Sequence, residues 1–239
     1  MKKIFLILLL LLACSAGYAK APAYLTKEEI STGAAFLPLP PQPSEAAFYN
    51  DWQRYQWGKT QRDTERGKQA IEDANDRLTY LAQIYSEPFG LQISPENTPE
   101  IWALLERTFA TAVICKDEAK KRTMRNRPFV QFNEPTPVPK DEITLKHNSS
   151  YPSGHTTQGW AVALALAQIN PARQDAILQR GFEYGESRVI VGFHFQSDVD
   201  AARLLTSILL NRLNANDEFR QQLDKAKTEF WQKTQANSS

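Results

Sequence analysis

The sequence predicts an all-α fold, a compact single-domain helical bundle with an extended proline-rich arm at its N-terminal end. Apolar residues recur at helical spacing in several segments, and helix-start signals precede some of them. The period-2 alternation that is typical of strands is almost absent. The chain has 239 residues, of which 42% are hydrophobic, so it is long enough to bury one sizeable core.

Residues 1–19 are predicted to be a signal peptide. Lys2 and Lys3 precede an apolar run, and Gly17-Tyr18-Ala19 forms a small-x-small cleavage site. A lipoprotein signal that acylates Cys14 is the alternative. Both kinds of signal predict export to the periplasm. No later segment of the sequence reaches the roughly 20 apolar residues that span a bilayer. Cleavage after Ala19 changes the net charge from +1 to −1, which gives no general attraction for nucleic acid polymers.

The mature chain is predicted to divide into an extended arm, residues 20–43, and a helical domain, residues 44–239. Prolines of the arm exclude helix, and Thr98-Pro99-Glu100 is a strong helix start. Helices are predicted at 44 onward, 63 to about 85, 98 to about 126, 154–169, 171 to about 191, 198 to about 213, and around Phe219, with a loop at 131–151. We expect the alanine-rich run 160–167 at the centre of the bundle and Cys115 in the core.

Three segments combine cations, histidines and a carboxylate. The first is Lys120-x6-Arg127-Pro128, in which the basic residues are seven apart. Seven residues are nearly two helical turns, so both side chains would point the same way. Taken alone, this segment is equally typical of a solvated basic face, because Arg125 and other basic residues lie close by.

The second segment is Pro152-Ser153-Gly154-His155. The helix that follows offers free N–H groups and a positive end, which suit an anion. Gly154 permits close approach of the backbone, Ser153 can donate from its hydroxyl, and His155 would lie in the first turn. The alternative is an ordinary helix cap with an incidental histidine.

The third segment is Ser187-Arg188-x5-His194-x3-Asp198. His194 follows a helix-breaking glycine, and Asp198 lies one turn beyond it. A carboxylate at that reach can accept from one ring nitrogen and leave the other as an unprotonated nucleophile. A purely structural histidine–aspartate pair is the alternative.

Together the three segments resemble, in order and spacing, the signature of the type 2 phosphatidic acid phosphatase (PAP2) superfamily, which includes vanadium haloperoxidases. Within it the chain is most similar to the bacterial class A non-specific acid phosphatases. Residues 64–75 and 197–203 also look like that class, and the resemblance covers essentially the whole mature chain. One departure is Ser149, which stands where the class usually has glycine.

The resemblance implies a phosphohistidine mechanism. His194 would be the nucleophile, Asp198 would hold its other nitrogen, and His155 would protonate the leaving alcohol and then activate water. The resemblance further implies a set of groups that bind the phosphoryl oxygens: Lys120, Arg127, Ser153, Gly154 and Arg188. Such a set can offset the charge of a phosphate dianion and of its transition state.

No cofactor or metal is expected, because no His/Asp cluster has metal-ligand spacing, and His147 is interpreted as a loop residue near the mouth of the site. The predicted substrates are phosphate monoesters, including nucleotides, with phosphotransfer to alcohols as a further activity. Three alternatives stay open at this point: a membrane-associated lipid phosphatase, a vanadate-dependent haloperoxidase, and a periplasmic phosphate-binding protein without turnover. A homo-oligomer formed through the terminal helices or the arm is a further hypothesis.

Overall fold

Eleven α-helices make up the fold of residues 22–30 and 33–236, the part of the chain that the computed structural model describes, and no strand occurs within those ranges. The all-α prediction is therefore confirmed. The predicted signal peptide, its cleavage site and Cys14 lie outside the described residues. The helices are α1 Lys27–Ile30, α2 Phe48–Gln61, α3 Glu65–Glu72, α4 Leu78–Phe89, α5 Pro99–Lys120, α6 Pro128–Gln131, α7 Pro139–Leu145, α8 Gly154–Ile169, α9 Gln174–Ile190, α10 Gln196–Asn214 and α11 Asp217–Ala236.

Helix α8 is the central element of the bundle. It packs against α5, α9 and α10, and also contacts α4 and α11. Small residues permit this close packing, because a side chain on Gly159 would collide with the ring of Tyr184. The alanines of α8 are buried, as the sequence predicted: Ala161, Ala163, Ala165 and Ala167.

The main apolar core surrounds α8 and includes Cys115, which is only 2% exposed. Helix α11 buries Phe219, Leu223 and Ala226 in the same core, so the apolar face of the last helix packs internally. A second, smaller cluster joins Phe129 and Val138 to Phe193. This cluster holds the segment around α6 and α7 against the turn that follows α9. No helix among the described residues is long and apolar enough to cross a membrane.

Several predicted element boundaries were wrong. The arm contains the short helix α1 and a 3-10 turn at Gly33–Phe36, whereas its residues 22–26 and 37–43 are without helix. The run predicted from 63 to 85 is broken into α3 and α4 between residues 73 and 77. Helix α5 ends at Lys120 and not near 126. The predicted loop 131–151 contains α7, because Pro139 takes the first helical position, where a missing N–H costs nothing.

Candidate active site

A cavity of about 800 Å³ lies where α5, the α7 segment, the start of α8 and the end of α9 meet. Six of the eight residues that the sequence singled out line it: Lys120, Arg127, Gly154, His155, Arg188 and His194. The other two, Ser153 and Asp198, are fully buried behind them. The structure thus brings all three sequence segments to one place, although they span residues 120 to 198.

Arg127 reaches the cavity by a route that the sequence did not predict. Helix α5 ends at Lys120, so Arg127 is not two turns further along the same helix; it caps the start of α6 instead. Its guanidinium is held by the carbonyl oxygens of Leu145 and Phe193, both at 2.9 Å from the donating nitrogen, and by the Asn148 side chain at 2.6 Å. The loop therefore fixes this cation in a single orientation.

His194 is positioned by the turn after α9. Gly192 has a φ of +83°, a conformation that favours glycine, and a side chain there would meet Arg62. The turn places His194 with 2% exposure and its Nε2 3.0 Å from Nη1 of Arg127. A guanidinium can only donate. Nε2 must therefore be the acceptor and carry no proton, which leaves the proton on Nδ1.

The Nδ1 side of His194 faces a carboxylate. Asp198 Oδ2 lies 3.4 Å from Nδ1, which is longer than a strong hydrogen bond. The hydroxyl of Ser150 lies between the two groups: it is 3.3 Å from Nδ1 and makes a short hydrogen bond to Oδ2. Asp198 also accepts from the backbone N–H of Phe195 at 2.8 Å, which caps α10. Asp198 is thereby fixed beside the ring, as the predicted pair requires.

The start of α8 forms the anion-facing side of the cavity. Ser153 caps the helix by accepting from the N–H of Thr156, and the Thr156 hydroxyl also donates to it at 2.9 Å. In these bonds the Ser153 oxygen accepts, so its own proton can be donated to a ligand. A side chain on Gly154 would come within 2.5 Å of the Lys116 stem. The absence of a side chain leaves room for the Lys116 stem beside the start of α8.

His155 lines the cavity from the first turn of α8. Its ring stacks on Tyr184 with centroids 4.2 Å apart, and its Nε2 is buried without a hydrogen-bond partner among the described residues. Burial and the nearby Arg188 hold the pKa of His155 well below its usual range. An anion bound in front of the ring would reverse that shift and allow the ring to hold a proton.

Arg188 and Lys120 complete the positive lining. Arg188 is 4% exposed, yet its Nε and Nη1 have no partner within residues 22–30 and 33–236. Lys120 donates to the carbonyl oxygen of Ser149 at 2.5 Å, and burial together with Arg127 lowers its pKa to about 7. Buried polar groups are almost always paired, so the two unpartnered donors of Arg188 are available to an anion in the cavity.

Sequence reasoning missed several residues that support the site. Arg125, which looked like part of a solvated face, is 7% exposed and binds Asp198. Asp51, Ser150 and Tyr184 were also not singled out. Ser150 lies inside the recognised motif, so its position could have been noted. Asp51 carries no local signal, because it is far from the motifs in sequence.

Ser149, the departure from the usual motif, is incorporated into the loop without strain. Its hydroxyl donates to the carbonyl oxygen of Thr123 at 2.7 Å, with that of Tyr151 within reach as a second acceptor at 3.1 Å, while the N–H groups of Arg125 and Tyr151 donate to it. Its φ is not positive, so the backbone does not demand glycine here. The serine ties the motif loop to the segment that carries Arg125.

Comparisons with known proteins agree with this geometry. The sequence model of the PAP2 superfamily matches residues 101–215. A non-specific acid phosphatase of Providencia stuartii is 46% identical over 208 residues, which cover 87% of this chain and 84% of the relative. The non-specific acid phosphatase of Salmonella typhimurium is 41% identical over 209 residues (85% and 82%), and that of Salmonella typhi 39% over 227 residues (92% and 89%). The chain therefore belongs to the PAP2 superfamily, together with these non-specific acid phosphatases.

Proposed function

We propose that this protein is an acid phosphatase that hydrolyses a broad range of phosphate monoesters through a phosphohistidine intermediate. The observation that carries the proposal is the meeting of His194 Nε2, His155 Nε2 and the unpartnered donors of Arg188 in one cavity. The named relatives, all non-specific acid phosphatases, support the same reaction class. A phosphate-binding protein without turnover would leave both histidines without a purpose.

The proposed reaction begins with binding of the phosphoryl group. Lys120, Arg127 and Arg188, with the Ser153 hydroxyl and the Gly154 N–H, surround its non-bridging oxygens. These fixed donors stabilise the charge of the five-coordinate transition state better than water does, because they need no reorganisation. The bound anion also offers His155 the negative charge that its surroundings otherwise lack.

Phosphoryl transfer then proceeds in two displacements. The Nε2 lone pair of His194 attacks phosphorus, the ester P–O bond breaks, and His155 gives its proton to the leaving alcohol oxygen. Asp198 stabilises the positive charge on the phosphorylated ring. In the second displacement His155 takes a proton from water, the hydroxide attacks phosphorus, and the P–N bond breaks to release phosphate. An alcohol in place of water would receive the phosphoryl group instead.

Release of p-nitrophenol from p-nitrophenyl phosphate tests the proposal, with His194→Ala as the inactive variant. His147→Ala is the matched control, because His147 is exposed on the loop after α7. We expect the first change to abolish turnover with unchanged helical circular dichroism, and the second to leave turnover intact. Activity that survives His194→Ala would remove His194 as the nucleophile.

The pH dependence provides a second test. His194 must be neutral to attack and His155 must be protonated to act as an acid, so the rate should fall at both extremes of pH, with an acidic optimum. A flat profile from about pH 4 to 9 would contradict these roles. Vanadate, which adopts five-coordinate geometry, should compete with substrate.

Location and assembly are part of the same proposal. The sequence of residues 1–19 supports export to the periplasm, and the mass of the mature N-terminus distinguishes cleavage before Lys20 from a lipid anchor at Cys14. A comparison of phosphatidate vesicles with soluble esters, including nucleotides, as substrates distinguishes the lipid phosphatase alternative from the proposed function. Homo-oligomerisation stays a prediction, which light scattering of the purified protein tests.

A further inference from the structure

A buried ion network lies directly behind the predicted nucleophile. Arg125 stands between two carboxylates: its Nη2 donates to Asp51 Oδ2 at 2.7 Å, and its Nη1 donates to Asp198 Oδ1 at 2.5 Å. The three residues are 7%, 1% and 0% exposed. Because Asp198 also contacts the His194 ring, the network continues from α2 to the reacting histidine.

Further hydrogen bonds tie the network to its surroundings. Ser197 donates from its backbone N–H to Asp51 Oδ1 at 2.8 Å and from its hydroxyl to Oδ2 at 2.6 Å. The same hydroxyl accepts from Arg125 Nη1 at 2.8 Å, and the Pro41 carbonyl oxygen accepts from Nη2 at 3.2 Å. The arm, α2, the segment after α5 and the start of α10 are therefore joined at one guanidinium.

The charge of this network matters for His194. Arg125 attracts the electron density of Asp198 and, if it were bound to Asp198 alone, would weaken the negative potential at the imidazole. Asp51 offsets the guanidinium, so the trio keeps a net negative charge beside the ring. In a buried site such charges are screened little by solvent.

We propose that Asp51 and Arg125 are positioning residues that fix the orientation and the effective charge of Asp198, and through it the nucleophilicity of His194. The inference rests on the proposed function for its catalytic consequence. Neither residue lines the cavity, so neither touches the substrate.

Most of the other groups around His194 act in the opposite sense, whereas a hydrogen bond with the Ser150 backbone raises its pKa. Arg127 contacts Nε2 at 3.0 Å, and burial together with the cations of Arg127, Lys120 and Arg188 holds the pKa of His194 well below its usual range. His155 faces the same cavity. Asp198 is the carboxylate in contact with the ring, so a change in its effective charge is felt at His194 directly.

Two charge-removing substitutions give opposite expected shifts. Arg125→Gln leaves two buried carboxylates near the ring and should raise the His194 titration midpoint, whereas Asp51→Asn leaves Arg125 to act on Asp198 alone and should lower it. We expect each shift to be about one pH unit. The double variant Asp51→Asn/Arg125→Gln removes one charge of each sign and should return the midpoint toward that of the wild type.

The measurement is an NMR titration of the histidine rings in the full chain without phosphate. The sequence has three histidines, so His147→Ala and His155→Ala spectra assign the signal of His194. Kinetics with p-nitrophenyl phosphate provide a second readout. In each single variant kcat should fall about tenfold, because either change loosens the frame that orients Asp198 toward His194, while KM changes less than about twofold. Arg125→Lys, which keeps the charge, should recover part of kcat.

The control is Glu218→Gln, which removes one carboxylate from the Arg107–Glu218 ion pair on the surface and should leave both readouts unchanged. Thermal unfolding identifies any variant that fails to fold. If Arg125→Gln fails to fold, Asp51→Asn and the double variant still test the inference. Midpoints that move in the same direction, or not at all, in an active enzyme would overturn the inference. An inactive wild type would overturn the proposed function and leave the titration interpretable.

Discussion

Arg125 and Arg188 are both buried close to His194, yet their surroundings differ. The guanidinium of Arg125 bridges two carboxylates and also donates to a hydroxyl and a carbonyl oxygen. The guanidinium of Arg188 lies over the Phe193 ring at 4.7 Å, and its Nε and Nη1 have no partner in the part of the chain that the structure describes. A buried cation without a partner costs stability, so a protein keeps it only where a ligand completes it. The difference distinguishes the frame of the site from the surface that, in the proposed function, meets the phosphoryl group.

The largest expected effect is on the stability of the frame. Arg125→Met leaves Asp51 and Asp198 as unpaired buried carboxylates, and breaking such a pair from one side costs about 3–5 kcal/mol. We expect thermal unfolding, followed by circular dichroism, to show a midpoint about 6–20 °C lower. An unchanged midpoint would mean that the network does not contribute to the fold.

Arg188→Met should act in the opposite direction on stability. It removes an unpaired buried charge while a chain of similar length still packs on Phe193, so the phosphate-free protein should gain about 1–2 kcal/mol. At the same time kcat/KM should fall about 100- to 1,000-fold, as is usual when one donor to a developing oxyanion is removed. Steady-state kinetics and thermal unfolding of one preparation check both. A variant that is both less stable and fully active would refute the assignment of Arg188 to the substrate.

The cavity should take up protons when an anion binds. Burial and Arg127 lower the pKa of Lys120 to about 7, and burial and Arg188 lower that of His155 well below its usual range. A bound dianion raises both, so sulfate, which keeps its charge throughout, should bind more tightly as the pH falls from about 8 to 6. Calorimetry in two buffers of different ionisation enthalpy measures the protons.

Lys120→Arg is the matched control for the proton uptake, because its guanidinium keeps its charge at these pH values. This variant should bind sulfate with fewer protons taken up. Sulfate affinity that does not change with pH, with no proton exchange in the wild type, would contradict the proton coupling.

The residues that could be predicted from the sequence belong to the surface around Arg188, and those that could not belong to the frame around Arg125. The cavity-lining residues Gly154, His155 and His194 lie in short motifs next to helix signals, so they could be singled out from the sequence. The frame could not, because Asp51 lies 74 residues from Arg125, and its importance arises only when the fold brings them together. Arg127 was predicted to lie beside Lys120 on one helix face. Both residues do line the cavity, but helix α5 stops at Lys120, and a loop supplies the Arg127 cation.

The smallest expected effect concerns Ser149. Ser149→Gly removes the hydroxyl bonds to Thr123 and Tyr151 and adds backbone freedom, and each of these costs about 1 kcal/mol. The backbone carbonyl that Lys120 contacts is kept, so kcat should change less than about threefold, as expected for a residue outside the reacting set. Urea unfolding and steady-state kinetics check the two statements. If kcat falls by more than about threefold although the protein stays folded, Ser149 belongs to the substrate-facing group.

The central claim is that the phosphoryl group passes through Nε2 of His194. Rapid-quench kinetics of His155→Asn with p-nitrophenyl phosphate test it most directly, because p-nitrophenol leaves without much help from an acid, whereas the hydrolysis of the intermediate needs His155. We predict a burst of p-nitrophenol that approaches one per site, followed by slow turnover, and a phosphoryl group that peptide mass spectrometry locates on His194. A linear time course without a burst, or a phosphoryl group on another residue, would contradict the account.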